Sequence, residues 1–416
     1  MRTVYVAGTC DTKGAELGFV RERLLSAGVP ALLVDVGTLA GPRDHVRPDI
    51  DAGTVAACHP DGAVAISHAA DRGAAITAMG CALARFLAGR HDVGGMIGLG
   101  GSGNTALVTE AMRAQPVGLP KVMVSTVASG NVAPYVGTSD LMLMYSVVDI
   151  AGLNRISRVI LSNAACAMAG MMKADAALEN TAWAAHVKPT VGITMFGVTT
   201  RGVDLLRERL DEEYECLVFH ATGTGGQALE KLIDSGMIEG AIDLTTTEVA
   251  DFLAGGVFPC LADRFGAIAR TKVPYVASCG ALDMVNFGAP DTVPARYADR
   301  LFYHHNPQVT LMRTSVDECR RIGEWIAQRL NRCDGPVRFL IPERGVSAID
   351  TEGLPFHDPD ADHALFDAIE ATFQPSSMRR IERLPFHIND AAFADAVVAA
   401  YRALADGQSQ ANVMTR

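Results

Sequence analysis

The sequence predicts an α/β protein of two duplicated Rossmann-like domains, each built on a doubly wound parallel sheet. Three observations predict this class. Short, nearly continuously apolar strands alternate with longer helical patterns, which is typical of parallel strands buried on both faces. The 416 residues suffice for about two or three domains, and the 40 glycines show no collagen-like period. The strand–turn–helix pattern near the start of the chain also recurs in its second half.

The repeat can be followed segment by segment. Residues 4–24 and 191–210 each give a short strand, a threonine-rich turn with a basic residue before a glycine, and a helix ending in R-E-R-L. A second strand follows each of them, at residues 31–37 and 216–223. Right-handed crossovers then place helices on both faces of each sheet.

The domain boundary is expected where a helical run ends and K-P-T-V-G-I-T-M-F begins a fresh strand. We predict an N-terminal nucleotide-binding domain over residues 1–186 and a C-terminal domain over residues 187–416. The second domain ends in a helix, for which Asn389 is the expected N-cap.

Composition excludes several classes of protein. A net charge of −11 argues against nucleic acid as a partner, because binding a phosphate backbone needs surplus Lys and Arg. No apolar run reaches the length of about 18 residues that a membrane span requires. Nine cysteines without a C-x-x-C pair indicate reduced thiols, and the first residues lack a secretory signal pattern. A cytoplasmic protein is expected.

The most informative turn is the glycine-rich segment at residues 98–105, between a strand and an amphipathic helix. Glycines allow close backbone approach, and the first amides of a helix carry partial positive charge. Together they predict an anion-binding turn. The spacing is neither a complete dinucleotide motif nor a P-loop, so a tight turn without a ligand is the alternative.

A second such turn lies near the amino terminus, at another strand-to-helix junction. Thr9 and Thr12 offer hydroxyls to a phosphate or sugar, and Lys13 offers a positive charge. Asp11 suits either a helix cap or a water-mediated contact with Mg²⁺.

Three further residues follow predicted strands and complete the set. Asp35 ends a strand where doubly wound nucleotide sites keep an acid for ribose hydroxyls, and Ser125 and Thr126 end another. Ligands bind beyond the carboxyl ends of parallel strands, so these turns should converge. The predicted nucleotide-binding residues are Gly8, Thr9, Asp11, Thr12, Lys13, Asp35, Gly100, Gly101, Ser102, Gly103, Asn104, Thr105, Ser125 and Thr126.

The second domain carries its own polar residues at predicted strand ends, including the glycine-rich turn after His220. Such groups are expected at the rim of an active site. The predicted catalytic residues are His220, Asp243, Glu248, His304 and His387, and the predicted substrate-binding residues are Thr222, Gly223, Thr224, Gly225, Gly226, Cys279 and Arg344. Cys279 suits either a nucleophile or a buried structural thiol. No metal-ligand spacing such as H-E-x-x-H occurs, so no metal-binding residues are predicted.

The stretches G-T-C-D-T-K-G-A-E-L, G-L-G-G-S-G-N-T-A-L-V-T-E-A-M and F-H-A-T-G-T-G-G-Q-A-L-E-K-L resemble the Tm-1-like ATP-binding family, also called UPF0261. The resemblance extends along nearly the whole chain. It implies Rossmann-like domains, with ATP bound by the first through residues 8–13 and 98–105. The antiviral role of the plant member that names the family is not expected to transfer.

Two functions remain open at this point, with a third of lower rank. The first is an ATP-binding protein, with Mg²⁺ as a possible companion ion, in which the nucleotide stabilises a conformation or a homo-oligomer of two or more chains. The alternative is a small-molecule metabolic enzyme that acts on an anionic or phosphorylated substrate in the cleft between the two domains. The third is a two-domain sensor that closes on an anionic metabolite. Without a P-loop lysine, the sequence does not decide between nucleotide binding and turnover.

Overall fold

The computed structural model describes residues 2–38, 46–178 and 188–414. The chain forms two compact units, Met1–Ala185 and His186–Arg416. The predicted domain boundary between residues 186 and 187 lies outside the described residues. In the described part of the chain, no helix has both the length and the apolar character needed to cross a membrane.

The first unit alternates strands and helices along the chain. Its strands are β1 (Thr3–Gly8), β2 (Ala31–Asp35), β3 (Val93–Gly100), β4 (Lys121–Ser125) and β5 (Met142–Tyr145). Its helices are α1 (Cys10–Ser26), α2 (Ala52–Ala56), α3 (Val64–Ser67), α4 (Arg72–Ala88), α5 (Ser102–Ala114), α6 (Ala133–Val136) and α7 (Arg155–Leu178).

The five strands form one parallel sheet in the order β2-β1-β3-β4-β5. Successive side chains of a strand point to opposite faces, and β1 shows what each face buries. Val4 and Val6 pack into a core with α1 and α7, whereas Tyr5 and Ala7 pack into a core with α4 and α5. The first unit is therefore doubly wound, as predicted.

The second unit contains a longer series of elements. Its strands are β6 (Thr190–Met195), β7 (Glu215–His220), β8 (Gly240–Thr245), β9 (Tyr275–Gly280), β10 (Met284–Phe287), β11 (Phe302–Asn306), β12 (Val309–Arg313), β13 (Val337–Pro342) and β14 (Arg379–Leu384). Its helices are α8 (Thr200–Leu210), α9 (Thr224–Asp234), α10 (Glu248–Ala254), α11 (Gly266–Thr271), α12 (Val316–Leu330), α13 (Pro359–Thr372) and α14 (Ala391–Met414).

The main sheet of the second unit is parallel, in the order β7-β6-β8-β9-β13-β14. Counted along the chain within this sheet, the order is second, first, third, fourth, fifth, sixth, which repeats the order of the first unit and adds one strand. Val191 and Ile193 of β6 share a core with α8 and α14, and the opposite face packs against α9, α12 and α13. The predicted class, two Rossmann-like units with parallel sheets, is confirmed.

Two local features differ from the sequence-based expectation. A small antiparallel sheet, β10-β12-β11, is inserted between β9 and β13, and His304 lies inside β11 opposite Thr310. The short apolar run before His304 suggested a strand end, but antiparallel pairing carries the strand onward. Asn389 does not cap α14. Its side chain instead accepts from the Gly202 amide and donates to the Val198 carbonyl.

Candidate functional site in the first unit

The two turns singled out by the sequence meet at one edge of the first sheet. β1 and β3 are neighbours in the sheet, so their carboxyl ends lie side by side. Thr9 leads from β1 into α1, which packs on one face, and Gly101 leads from β3 into α5, which packs on the other. Connections that leave in opposite directions define the switch point, where doubly wound proteins bind their ligands.

A cavity of about 290 Å³ opens at this switch point. It joins both turns to residues from more distant parts of the chain. Its lining consists of Thr9, Asp11, Thr12, Lys13, Thr38, Arg72, Ile76, Gly101, Ser102, Gly103, Asn104, Leu107 and Asp149. Both predicted turns therefore contribute to a single concave site.

The amino end of α5 supplies backbone donors to the cavity. The first backbone bond into this helix runs from the Thr105 amide to the Gly101 carbonyl, so the amides of Ser102, Gly103 and Asn104 have no partner within it. Gly100 has a φ of +155°, and a Cβ there would lie 2.8 Å from the Asn104 Cβ. Glycine is thus required at this position for the tight entry into the helix.

Cationic side chains reach the cavity from two helices. Lys13 lies in a kink of α1, at φ −132° and ψ 18°, and its Nζ donates to the Ile150 carbonyl. Arg72 is the first residue of α4, whose cap Asp71 accepts from the Ala74 amide. An anion in the cavity would therefore meet positive charge from both faces of the sheet.

Two carboxylates also line the cavity. Within the described residues, the Asp11 Oδ1 atom is buried without a hydrogen-bond partner. Asp149 follows β5, and its Oδ1 accepts from the Ile150 amide at 2.8 Å. Mg²⁺ is commonly held by one or two carboxylates together with substrate phosphates, and this donor set has that composition.

Several predicted residues lie behind the cavity instead of lining it. Asp35 is 1% exposed, and its Oδ1 accepts from the amides of Cys10 and Gly37. The hydroxyls of Thr105 and Ser125 lie 2.7 Å apart, both fully buried. Gly8, Gly100 and Thr126 are likewise absent from the lining. These residues hold the turns in place.

Sequence reasoning missed five lining residues, namely Thr38, Arg72, Ile76, Leu107 and Asp149. Leu107 is one helical turn beyond Asn104, so the α5 pattern could have indicated it. Arg72 follows an Asp that has the character of a helix cap, and Asp149 follows the apolar run L-M-L-M-Y at residues 141–145. Those signals mark element ends, but they do not show which sheet edge each end approaches.

In the second unit, an internal carboxylate occupies the glycine-rich turn after His220, where substrate-binding residues were predicted. The Glu248 Oε1 atom accepts from the amides of Gly223 at 2.8 Å and Gly226 at 3.0 Å. A Cβ at Gly226 would lie 1.9 Å from Glu248 Oε2, which shows how closely the carboxylate fits. These two amides are therefore satisfied within the protein.

Glu248 also belongs to a buried ionic network around Arg264. The guanidinium lies 2.7 Å from Asp243 Oδ2, 3.3 Å from Glu248 Oε2 and 3.2 Å from Glu230 Oε1. The Tyr275 hydroxyl donates to Asp243 as well. Burial raises the pKa of Glu230 to about 7, while the carboxylates raise the pKa of Arg264 well above its usual value.

The five predicted catalytic side chains do not come together in one site. Asp243 and Glu248 share Arg264, whereas His220 is exposed and its ring lies 5.4 Å from that of Phe196. His304 is exposed in β11, and His387 Nε2 lies 2.9 Å from the Ser347 carbonyl oxygen.

Two predicted substrate-binding residues differ in accessibility. Cys279 is fully buried, and burial raises the pKa of its thiol well above the usual range. Arg344 is exposed and lines a separate cavity at the end of β13.

Fold and site define a two-unit, Rossmann-like α/β protein with a polar cavity at the switch point of its first sheet. The chain belongs to the uncharacterised protein family UPF0261. The N-terminal domain of that family matches residues 2–177, and the C-terminal domain matches residues 188–405.

Relatives in bacteria and plants are similar over most of this chain. The UPF0261 protein RA0729 of Rhizobium meliloti (strain 1021) is 59% identical over 406 residues, covering 98% of this chain and 100% of the relative. The ToMV resistance protein Tm-1(GCR237) of Solanum lycopersicum is 45% identical over 415 residues, covering 95% of this chain but 55% of the tomato protein.

Among solved structures, the UDP-GlcNAc 2-epimerase of Methanocaldococcus jannaschii in complex with UDP-GlcNAc and UDP is 8% identical. The match covers 90% of this chain and 94% of the epimerase, with a TM-score of 0.23. A likeness at that level carries no argument about the ligand of this chain.

Proposed function

We propose that the first unit binds a nucleotide, ATP, in the switch-point cavity. The observation that carries the proposal is the convergence of the β1–α1 and β3–α5 turns on one cavity. That cavity also contains the free amides of α5 and the charges of Lys13 and Arg72. Phosphate groups bind where helix amides and cations coincide. The resemblance to the Tm-1-like ATP-binding family supports ATP as the nucleotide.

Each part of the cavity matches a part of the ligand. The amides of Ser102, Gly103 and Asn104 would receive phosphate oxygens, and Arg72 would add charge. Ile76 and Leu107 give the cavity apolar wall that suits a nucleobase. Asp11 and Asp149 are the residues that would hold a Mg²⁺ ion accompanying the nucleotide, and the ion would neutralise phosphate charge there.

Thermal unfolding of the full chain with ATP, ADP, NAD and a sugar phosphate tests the proposal. A ligand that binds only the folded state raises the unfolding midpoint with concentration. We expect that rise for ATP, and its absence would refute nucleotide binding.

Gly101→Asp is the variant of choice for this test. A Cβ at Gly101 meets only Thr126 Oγ1, at 3.7 Å, and Asp is a favoured N-cap, so α5 should remain folded. Its carboxylate would repel the phosphates and abolish the ATP-induced rise. Gly170→Asp, in open space on α7, is the matched control and should respond to ATP like the parent chain.

We also propose that the chain forms a homodimer through β5, which within the described residues pairs with β4 on one side and with no strand on the other. β5 is an edge strand, and Met142 and Tyr145 on it are 42% and 43% exposed. An exposed apolar edge strand is a template for pairing with another strand. Light scattering coupled to gel filtration should show a dimer that Tyr145→Lys converts to a monomer. A monomeric parent chain would exclude the proposal.

A further inference from the structure

A second cavity, of about 310 Å³, opens in the second unit at the carboxyl end of β13. Its polar lining includes Glu343, Arg344, Glu352, His357, Asp362 and His363. The position follows the rule that open parallel sheets bind ligands beyond the carboxyl ends of their strands. The volume is within the range of small-molecule sites, about 300–1,000 Å³.

The turn that carries Arg344 is held rigidly. The backbone amide of Arg344 donates to the Phe386 carbonyl at 3.1 Å. The carbonyl of the next residue, Gly345, accepts from the Ile388 amide at 3.1 Å. Gly345 has a φ of +123°, and a Cβ there would lie 1.9 Å from the Asp350 carbonyl oxygen. Only glycine fits this backbone, so Arg344 projects from a preorganised position.

Asp362 forms the buried floor of the cavity. It is 7% exposed, and its Oδ1 accepts from Arg313 Nη2 at 2.7 Å. The same guanidinium lies 3.9 Å from Asp350 Oδ1, and Asp283 completes a cluster of three buried carboxylates. Within the described residues, Asp283 Oδ1 and Asp350 Oδ1 lack hydrogen-bond partners.

One guanidinium cannot compensate three buried carboxylates. Burial and the neighbouring Asp350 raise the pKa of both Asp283 and Asp362. Asp283 and Asp362 therefore retain protons at a pH where exposed carboxyl groups are ionised. The floor of the cavity is accordingly polar but poor in net charge.

The exposed charged side chains that line the cavity include both positive and negative groups. Glu343, Arg344 and Glu352 are exposed along its lining, and in the described part of the chain no ion pair joins any of them to another. A purely anionic ligand would leave the two glutamates unpaired, and a purely cationic ligand would leave Arg344 unpaired. A ligand that carries both a carboxylate and an ammonium group can form ion pairs with all three of these side chains.

We propose that this cavity is a binding site for a small zwitterion of the α-amino acid class. Arg344 binds the carboxylate in the bidentate geometry of a guanidinium, and Glu343 and Glu352 receive the ammonium group. Asp362 supplies a hydrogen-bonding floor. The site lies wholly within the second unit and is independent of the nucleotide proposed for the first.

Thermal-shift measurements of the full chain with the standard amino acids identify the strongest binder. Calorimetry then compares that amino acid with its deaminated acid and its decarboxylated amine, which carry one charged group each. We expect either analogue to bind at least about tenfold more weakly, since each leaves one charge of the site unpaired. The proposal is overturned if no amino acid binds, or if one analogue binds as tightly as the amino acid.

Variants then locate the bound molecule. Arg344→Gln should weaken amino acid binding by at least about tenfold and leave the unliganded unfolding midpoint unchanged, because the side chain is exposed. Arg380→Gln, an exposed arginine on β14 outside the cavity, is the matched control. Unaltered binding by Arg344→Gln would contradict the proposal, and an ATP titration of the same variants separates this site from the first.

Discussion

Glu248 Oε1 lies 3.0 Å from the amide nitrogen of Gly226, so a carboxylate of the protein itself fills the glycine-rich turn of the second unit. At the carboxyl edge of the first sheet, Ser102, Gly103 and Asn104 at the start of α5 instead line an open cavity. The glycine-rich turns of the two units therefore differ, because a carboxylate of the chain fills one and the other opens onto a cavity.

Gly226→Ala should destabilise the second unit. The new Cβ would lie 1.9 Å from Glu248 Oε2, and moving that carboxylate would disturb the buried Arg264 network. We expect a loss of about 2 kcal/mol in the free energy of unfolding, measured by urea titration with circular dichroism. Gly407→Ala, in open space on α14, is the control and should stabilise by about 0.5–1 kcal/mol. Equal behaviour of the two variants would contradict the close fit.

Ser125→Ala should lower stability without a large effect on nucleotide binding. Ser125 is fully buried, pairs with Thr105 and accepts from the half-buried Val127 amide, so its removal takes away both hydrogen bonds. The expected cost is about 1–2 kcal/mol. ATP affinity, measured by calorimetry, should stay within about twofold. A large loss of affinity at unchanged stability would show that the hydroxyl contacts the ligand directly.

Arg72→Gln should weaken ATP binding by about tenfold, the value of one charge-assisted contact to phosphate. Adenosine, which has no phosphate, should bind the variant and the parent chain alike. The control is Arg85→Gln, because Arg85 lies on the same helix but is exposed and outside the cavity. Equal losses for ATP and adenosine would place Arg72 away from the phosphates.

Asp362→Asn should reduce the pH dependence of stability. Burial, followed by Asp350, raises the pKa of Asp362 to about 8 from its usual 3.8. Between these values the folded chain holds a proton that the unfolded chain has lost. The stabilisation from this group is therefore complete below the lower value and disappears as the pH rises through the higher one.

Urea titrations of the full chain across this pH range measure the effect. One proton changes the slope by at most about 1.4 kcal/mol per pH unit, and Asp362→Asn should lose up to that amount of slope. Asp360→Asn, an exposed acid in the first turn of α13, should keep the parent slope. Identical slopes for parent and Asp362→Asn would show that Asp362 is ionised throughout.

Local sequence patterns were enough to predict the sheets and the turns of the first unit. Glycine, threonine and Lys13 stand next to recognisable strand ends, and the strand order then brings them together. Arg72 and Asp149 reach the same cavity from elements distant in the sequence, so their placement depends on how helices and loops pack. That packing leaves no local signature.

The second unit shows the other limit of sequence reasoning. The turn at residues 220–226 has the composition of an anion site. Whether a ligand or an internal acid fills it depends on which side chain the folded chain brings within hydrogen-bond distance of its amides. Glu248 follows a different strand, and only the folded sheet brings it to that turn. The inserted antiparallel sheet was missed because its short strands resemble the ends of buried parallel ones.

The small sheet β10-β12-β11 is inserted in the chain between β9 and β13, which remain neighbours in the main sheet of the second unit. Val285, Phe287 and Met312 of the small sheet nevertheless share one hydrophobic core with β9 and β13. Arg313, whose guanidinium pairs with Asp362 at the floor of the second cavity, comes from the small sheet, whereas Asp362 comes from α13. A substitution at Arg313 in the small sheet can therefore change the charge at this edge of the second unit while the parallel strands keep their own sequence.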